Sequence, residues 1–191
     1  MEKLHSFLEK LEREKNITLE DIPGIDLYMD QVIQMFENKY SEAKRNDDEK
    51  VLTKTMINNY AKGKLFFPIK NKKYSKEHLI LISLIYQLKG ALTIKDIKET
   101  LEGINKKVTE ENFSMNDFYK SYLHLSEENM EKFTVDIEER MNDVKEEVMH
   151  VDDDSKEYLE KVLLISSLVN ISNLYRRTAE KLVDEIVEGR E

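Results

Sequence analysis

The chain has no cysteine, and only five glycines and two prolines in 191 residues. Without cysteine there is no disulfide framework, no thiolate metal site and no cysteine nucleophile. So few glycines and prolines leave little material for the many turns of a strand-rich fold, which points to long helices with few breaks. Long apolar runs are missing as well. LILISLIYQL at 79–88 and VLLISSLV at 162–169 fall well short of the roughly 20 residues needed to span a bilayer. The amino terminus, MEKLHSFLEKLEREK, is charged throughout and does not read as a secretory signal. The expectation is a soluble, cytoplasmic protein with no membrane partner.

Catalytic patterns are equally scarce. There is no Ser/His/Asp order and no phosphate-binding loop, and the histidines at 5, 78, 124 and 150 are too scattered to form a ligand motif. The acids of His150-Val-Asp-Asp-Asp-Ser suit the positive end of a helix that begins at Asp154 or Ser155. They lack the spacing and glycine of a calcium loop. No enzyme activity, metal or cofactor is expected.

What is present is an uneven distribution of charge. The net charge is −9, yet Lys50 to Glu77 holds eight lysines and one acid, so +7 sits in this segment and −16 in the rest. A local basic patch can bind phosphate while acidic surfaces elsewhere discourage nonproductive contact.

Apolar periodicity divides the chain into helices. Leu4, Phe7, Leu8 and Leu11 form the face of a first helix, and ITLEDIPGID breaks the pattern at Pro23 and Gly24. Asp26 is placed to cap a second helix carrying Met29, Val32, Ile33, Phe36 and Tyr40 inward, followed by an exposed connection at 42–50. Thr53 caps a helix to about Lys64, and FFPIKNKKY reads as a short β-hairpin tipped by lysines. Ser75 opens a helix apolar nearly all round, with Gly90 after its end. Thr93 and Asp96 begin a short helix with Ile94, Ile97 and Leu101 inward. A boundary is placed between Gly103 and Thr109. Beyond it Ser114 and Asp117 open a helix carrying Met115, Phe118, Tyr119, Tyr122 and Leu123 on one face, and Met130, Phe133, Ile137, Met141, Val144 and Val148 form a heptad-like stripe. A last helix reaches about Val187.

On the helix after Thr53, Met56, Ile57, Tyr60 and Ala61 fall together as an inward face at about 100° per residue. Thr55, Asn58, Asn59 and Lys62 fall on the opposite side. Such a face matches what a helix in a DNA major groove requires. Asparagine pairs bidentately with adenine, while lysine and threonine reach guanine or phosphate. The same residues would also serve merely to solvate a surface helix.

The neighbouring residues favour the first of these readings. Ile57-Asn58-Asn59-Tyr60, Lys64-Leu65, Pro68, Lys73-Tyr74, Lys76-Glu77-His78-Leu79 and the run from Gly90 to Ile97 recur in that order over about fifty residues. In order and spacing they resemble the DNA-binding domain of the MerR family of transcription regulators. Two positions depart from that family's pattern, with Asn58 standing for an arginine and Lys64 for a glycine. More specifically, the run from ITLEDIP through LYMDQVI to LTKTMINNY and KKYSKEHL is similar to the domain of unknown function 1836 family, over roughly 17–104. That family includes proteins described as candidate regulators.

The resemblance implies a mainly α protein. Residues 1–104 would be an N-terminal helix plus a MerR-like winged helix-turn-helix domain with a short β-hairpin wing (core 17–104). Residues 105–191 would form a helical bundle or long-helix effector and dimerisation domain. It implies transcriptional control through double-stranded DNA, with Thr55, Asn58, Asn59 and Lys62 toward the bases, Lys54, Lys64, Lys70, Lys72 and Lys73 on phosphates, and Tyr74 beside them in the wing. A homodimer through the C-terminal helices and an unidentified small-molecule or protein effector complete the expectation. The alternative is a helical protein- or ligand-interaction module that keeps the fold without DNA binding.

Overall fold

A computed structural model of the chain describes residues 2–13, 16–46 and 48–190. The described elements run α1 (Glu2–Arg13), β1 (Leu27–Tyr28), α2 (Met29–Tyr40), α3 (Lys54–Lys62), β2 (Lys73–Tyr74), α4 (Lys76–Leu88), α5 (Ile94–Glu110), α6 (Met115–Met149) and α7 (Lys156–Glu188). The protein is mainly helical, with one small antiparallel sheet. No described helix is long and apolar enough to cross a membrane.

α4 is the hub. Every residue from His78 to Ile85 is buried, as an all-round apolar helix requires. Around it pack Val32, Phe36 and Tyr40 of α2, Ile57 and Tyr60 of α3, and Ile97 and Leu101 of α5. The start of α6 joins the same core through Met115 and Tyr119. A polar seam runs through this core. The Tyr119 hydroxyl donates to the Ile17 carbonyl at 2.7 Å and accepts from Ser83 Oγ at 2.9 Å. Burial pushes the Tyr119 phenol well above its ordinary range, and burial pushes the stacked Tyr122 up to about 12.

A second apolar cluster joins Leu8 of α1 to Ile137, Met141, Val144 and Val148 of α6 and Leu164 of α7. Four of the six residues in the expected heptad-like stripe are therefore buried. Phe133 stays 37% exposed.

Several local expectations are corrected. α2 starts at Met29 rather than after Asp26, because Leu27 and Tyr28 pair antiparallel with Tyr74 and Lys73. The Gln31 side chain then accepts from the Tyr28 N–H at 2.9 Å. The hairpin shrinks to a tight turn. Lys70 bridges Lys73, and beyond that bridge β2 finds its partner in β1, far back in the chain. α5 passes unbroken through 103–109, and Ile94 in its first turn is 48% exposed, ahead of the packed Ile97 and Leu101. Asp47, inside the connection at 42–50, lies outside the described residues, as does the side chain of His5.

Candidate nucleic-acid interface

α3 begins where the Thr53 hydroxyl accepts from the Met56 N–H at 3.1 Å. Its inner face is anchored by Ile57 and Tyr60, with Met56 half-buried. Ala61, expected inward, is exposed instead, in the last turn of the helix. Lys54, Thr55, Asn58, Asn59 and Lys62 are all exposed. Thr55, Asn58, Asn59 and Lys62 thus share one solvent-facing side of a short, capped helix.

The exit from α3 is a Schellman motif. The Leu65 N–H donates to the Tyr60 carbonyl at 3.0 Å and the Lys64 N–H to the Ala61 carbonyl at 3.1 Å. This geometry needs a left-handed residue between Gly63 and Leu65, and that residue is Lys64, at φ 57°. Gly63 itself is right-handed, at φ −70°. A side chain there would bring its Cβ within 2.7 Å of Leu65 Cδ1.

The wing tip repeats the pattern. Asn71 at φ 52° and Lys72 at φ 60° are the two central residues of a type I′ turn, closed by the Lys73 N–H donating to the Lys70 carbonyl at 2.9 Å. Lys64 and Lys72 thus occupy backbone conformations that glycine adopts at far lower cost. Lys64, Lys70 and Lys72 are exposed, and with Lys62 they have no ion-pair partner among the described residues.

Two other predicted contacts have partners. Lys54 pairs with Asp30 of α2 at 2.7 Å, both side chains well exposed. Lys73 lies 5.2 Å from the centre of the Tyr28 ring, a cation–π contact across the sheet. Tyr74 does not belong to this surface. It is 1% exposed, with its ring edge-on to Phe66 and His78, and burial raises its phenol pKa. Period-2 alternation puts it inward once Lys73 faces out.

His78 fixes the wing to the body. Its Nδ1 accepts from the Ser75 N–H at 3.1 Å, so the ring proton sits on Nε2, which donates to the Phe67 carbonyl at 3.1 Å. Burial lowers its pKa and holds it neutral. The sequence offered no sign of this link, nor of Tyr28, 54% exposed beside the wing. Both depend on the pairing of β1 with β2 or on the fold of the 65–69 loop. Among the described residues no three His, Asp or Glu side chains gather to hold a metal ion.

Among protein families, the model described as Domain of unknown function (DUF1836) matches residues 17–122, more than half of the chain. The match ends three residues beyond Tyr119, whose hydroxyl is tied to Ile17 at its other end. No curated protein and no solved structure matches the chain.

Proposed function

The chain belongs to the domain of unknown function 1836 family, and we propose that this member is a transcription regulator that binds double-stranded DNA with a MerR-like winged helix-turn-helix. α3 lies in the major groove with Thr55, Asn58, Asn59 and Lys62 toward base edges, while Lys64, Lys70 and Lys72 hold phosphates. The observation that carries this reading is the pair of left-handed lysines. At the exit of α3 and at the wing tip the chain keeps a cation where glycine would be less strained. Residues held in costly conformations on an exposed cationic surface fit a functional demand for charge there, and in an acidic protein the natural ligand of such a surface is a polyanion.

A dimer completes the proposal. α7 buries only Leu164 and Val183, while ten of its large apolar residues remain exposed. Tyr158, Val162, Ile165 and Val169 follow at steps of 4, 3 and 4 over about 16 Å of helix, the spacing of a coiled-coil seam. Pairing two copies along it sets two α3 helices at a fixed separation, which reads as half-site spacing on DNA. An effector that alters the pairing would alter that spacing.

Selection from a random-sequence pool of duplexes tests the reading. The full chain should enrich a defined motif, and a variant carrying alanine at Thr55, Asn58 and Asn59 should lose the motif while retaining weak binding. If no motif is enriched and no duplex is retained, the chain is an interaction module. The acidic remainder and the Lys54–Asp30 pair are the features that favour that second reading.

A further inference from the structure

Between the loop that leaves α3 and one side of α5 lies a groove of about 760 Å³, within the size range of small-molecule sites. Its loop wall is apolar, made chiefly of Phe67, Pro68 and Ile69. The facing stripe of α5 is polar throughout, from Lys98 to Thr109. A helix side that merely packed against phenylalanine and proline would be apolar and in contact with them.

Charge indicates the kind of occupant. The groove's one carboxylate, Glu102, is held by Arg190 at 2.5 Å and by Lys106 at 3.7 Å. Lys98 and Lys64 line the same groove with no ion-pair partner among the described residues. The walls are also held at a set distance. Asn105 donates from Nδ2 to the Leu65 carbonyl and to the Leu101 carbonyl, both at 3.0 Å, which ties the loop to α5. Its Oδ1 is buried away from solvent and has no partner among the described residues.

We propose that this groove binds a small amphipathic carboxylate, with its apolar body against Phe67, Pro68 and Ile69 and its carboxylate held by Lys64 and Lys98. A strongly hydrated polyphosphate would leave the apolar wall unused. Insofar as the DNA reading holds, an occupied groove also withdraws Lys64 from phosphate, so the carboxylate would weaken DNA binding.

The site is tested without DNA, by backbone amide NMR of the full chain titrated with 3-phenylpropionate, its neutral amide and inorganic phosphate. With 3-phenylpropionate, saturable shifts should concentrate at residues 65–69 and 98–109. The neutral amide and the Lys98→Gln variant should each bind about tenfold more weakly, as loss of one charge-assisted contact implies. The same spectra report that Lys98→Gln is folded. No saturable shift in those segments, equal binding of acid and amide, unchanged binding by Lys98→Gln, or an equal response to phosphate overturns the proposal. None of these results bears on whether the chain binds a duplex.

Discussion

The Leu65 N–H donates to the Tyr60 carbonyl at 3.0 Å, and this bond closes α3 only because Lys64, one residue earlier, is left-handed. A left-handed non-glycine residue costs about 1–2 kcal/mol, of which a glycine would return about 0.5–1 to the unfolded chain's entropy. Lys64→Gly is therefore expected to stabilise the fold by about 0.5–1 kcal/mol and at the same time to weaken binding to every duplex alike. Denaturant midpoints and fluorescence anisotropy give the two signs. If Lys64→Gly were more stable and bound DNA unchanged, the lysine would have no role at the interface.

Asn58 and Lys72 should separate base reading from phosphate binding. Asn58→Ala is expected to relax discrimination at one base-pair position by about 1–3 kcal/mol. Lys72→Ala should lower affinity for matched and mismatched duplexes equally and make the salt dependence shallower by about one unit. Competition titrations with single-base variants of a selected site distinguish them. Identical behaviour of the two variants would mean that α3 reads no bases.

His78 makes stability depend on pH. Its folded pKa lies below the ordinary value of about 6.5 because the ring is buried. The unfolded chain therefore binds the proton first as pH falls. Its contribution is fully present above the unfolded pKa and is lost as pH drops through the lower, folded one. The fold should lose stability as pH falls through about 6.5 and below, and His78→Gln should show a flatter profile there. An NMR titration in which the His78 ring protonates at or above about 6.5 would contradict the account.

Ile165, 60% exposed in the first third of α7, lies on the proposed seam. Ile165→Glu should leave helicity and the main core intact and convert a dimer to a monomer in sedimentation velocity. A wild-type chain that stays monomeric at concentrations of tens of micromolar would remove the pairing.

Much of the helical layout was legible in the sequence, because apolar periodicity and caps act locally. Thr53, Ser114 and Ser155 stand where helices begin, and the continuous apolar run at 79–85 became the hub. What escaped depends on contacts between distant segments. Nothing near Leu27 marks it as the partner of Tyr74, so the β1–β2 sheet and the burial of Tyr74 were hidden. Leu8 meets Ile137 and Leu164 only after the chain has folded back, and no local signal places α1 there. Lys64 was visible as a departure from a glycine pattern, but its left-handed backbone was not, since propensity alone argues against it. The exposed polar side of α3 was read correctly as a helix face, apart from Ala61, because a 3.6-residue period fixes which residues share a side.

A cationic α3 and wing that bind a duplex through phosphate contacts must show it in the salt dependence of affinity, the most direct test. Titration of the full chain against a fluorescent duplex at several salt concentrations should give a straight log–log plot with a slope of about −2.7 per bound protomer, the counterion release of Lys64, Lys70 and Lys72. A slope near zero, or no binding at the lowest salt, would contradict it.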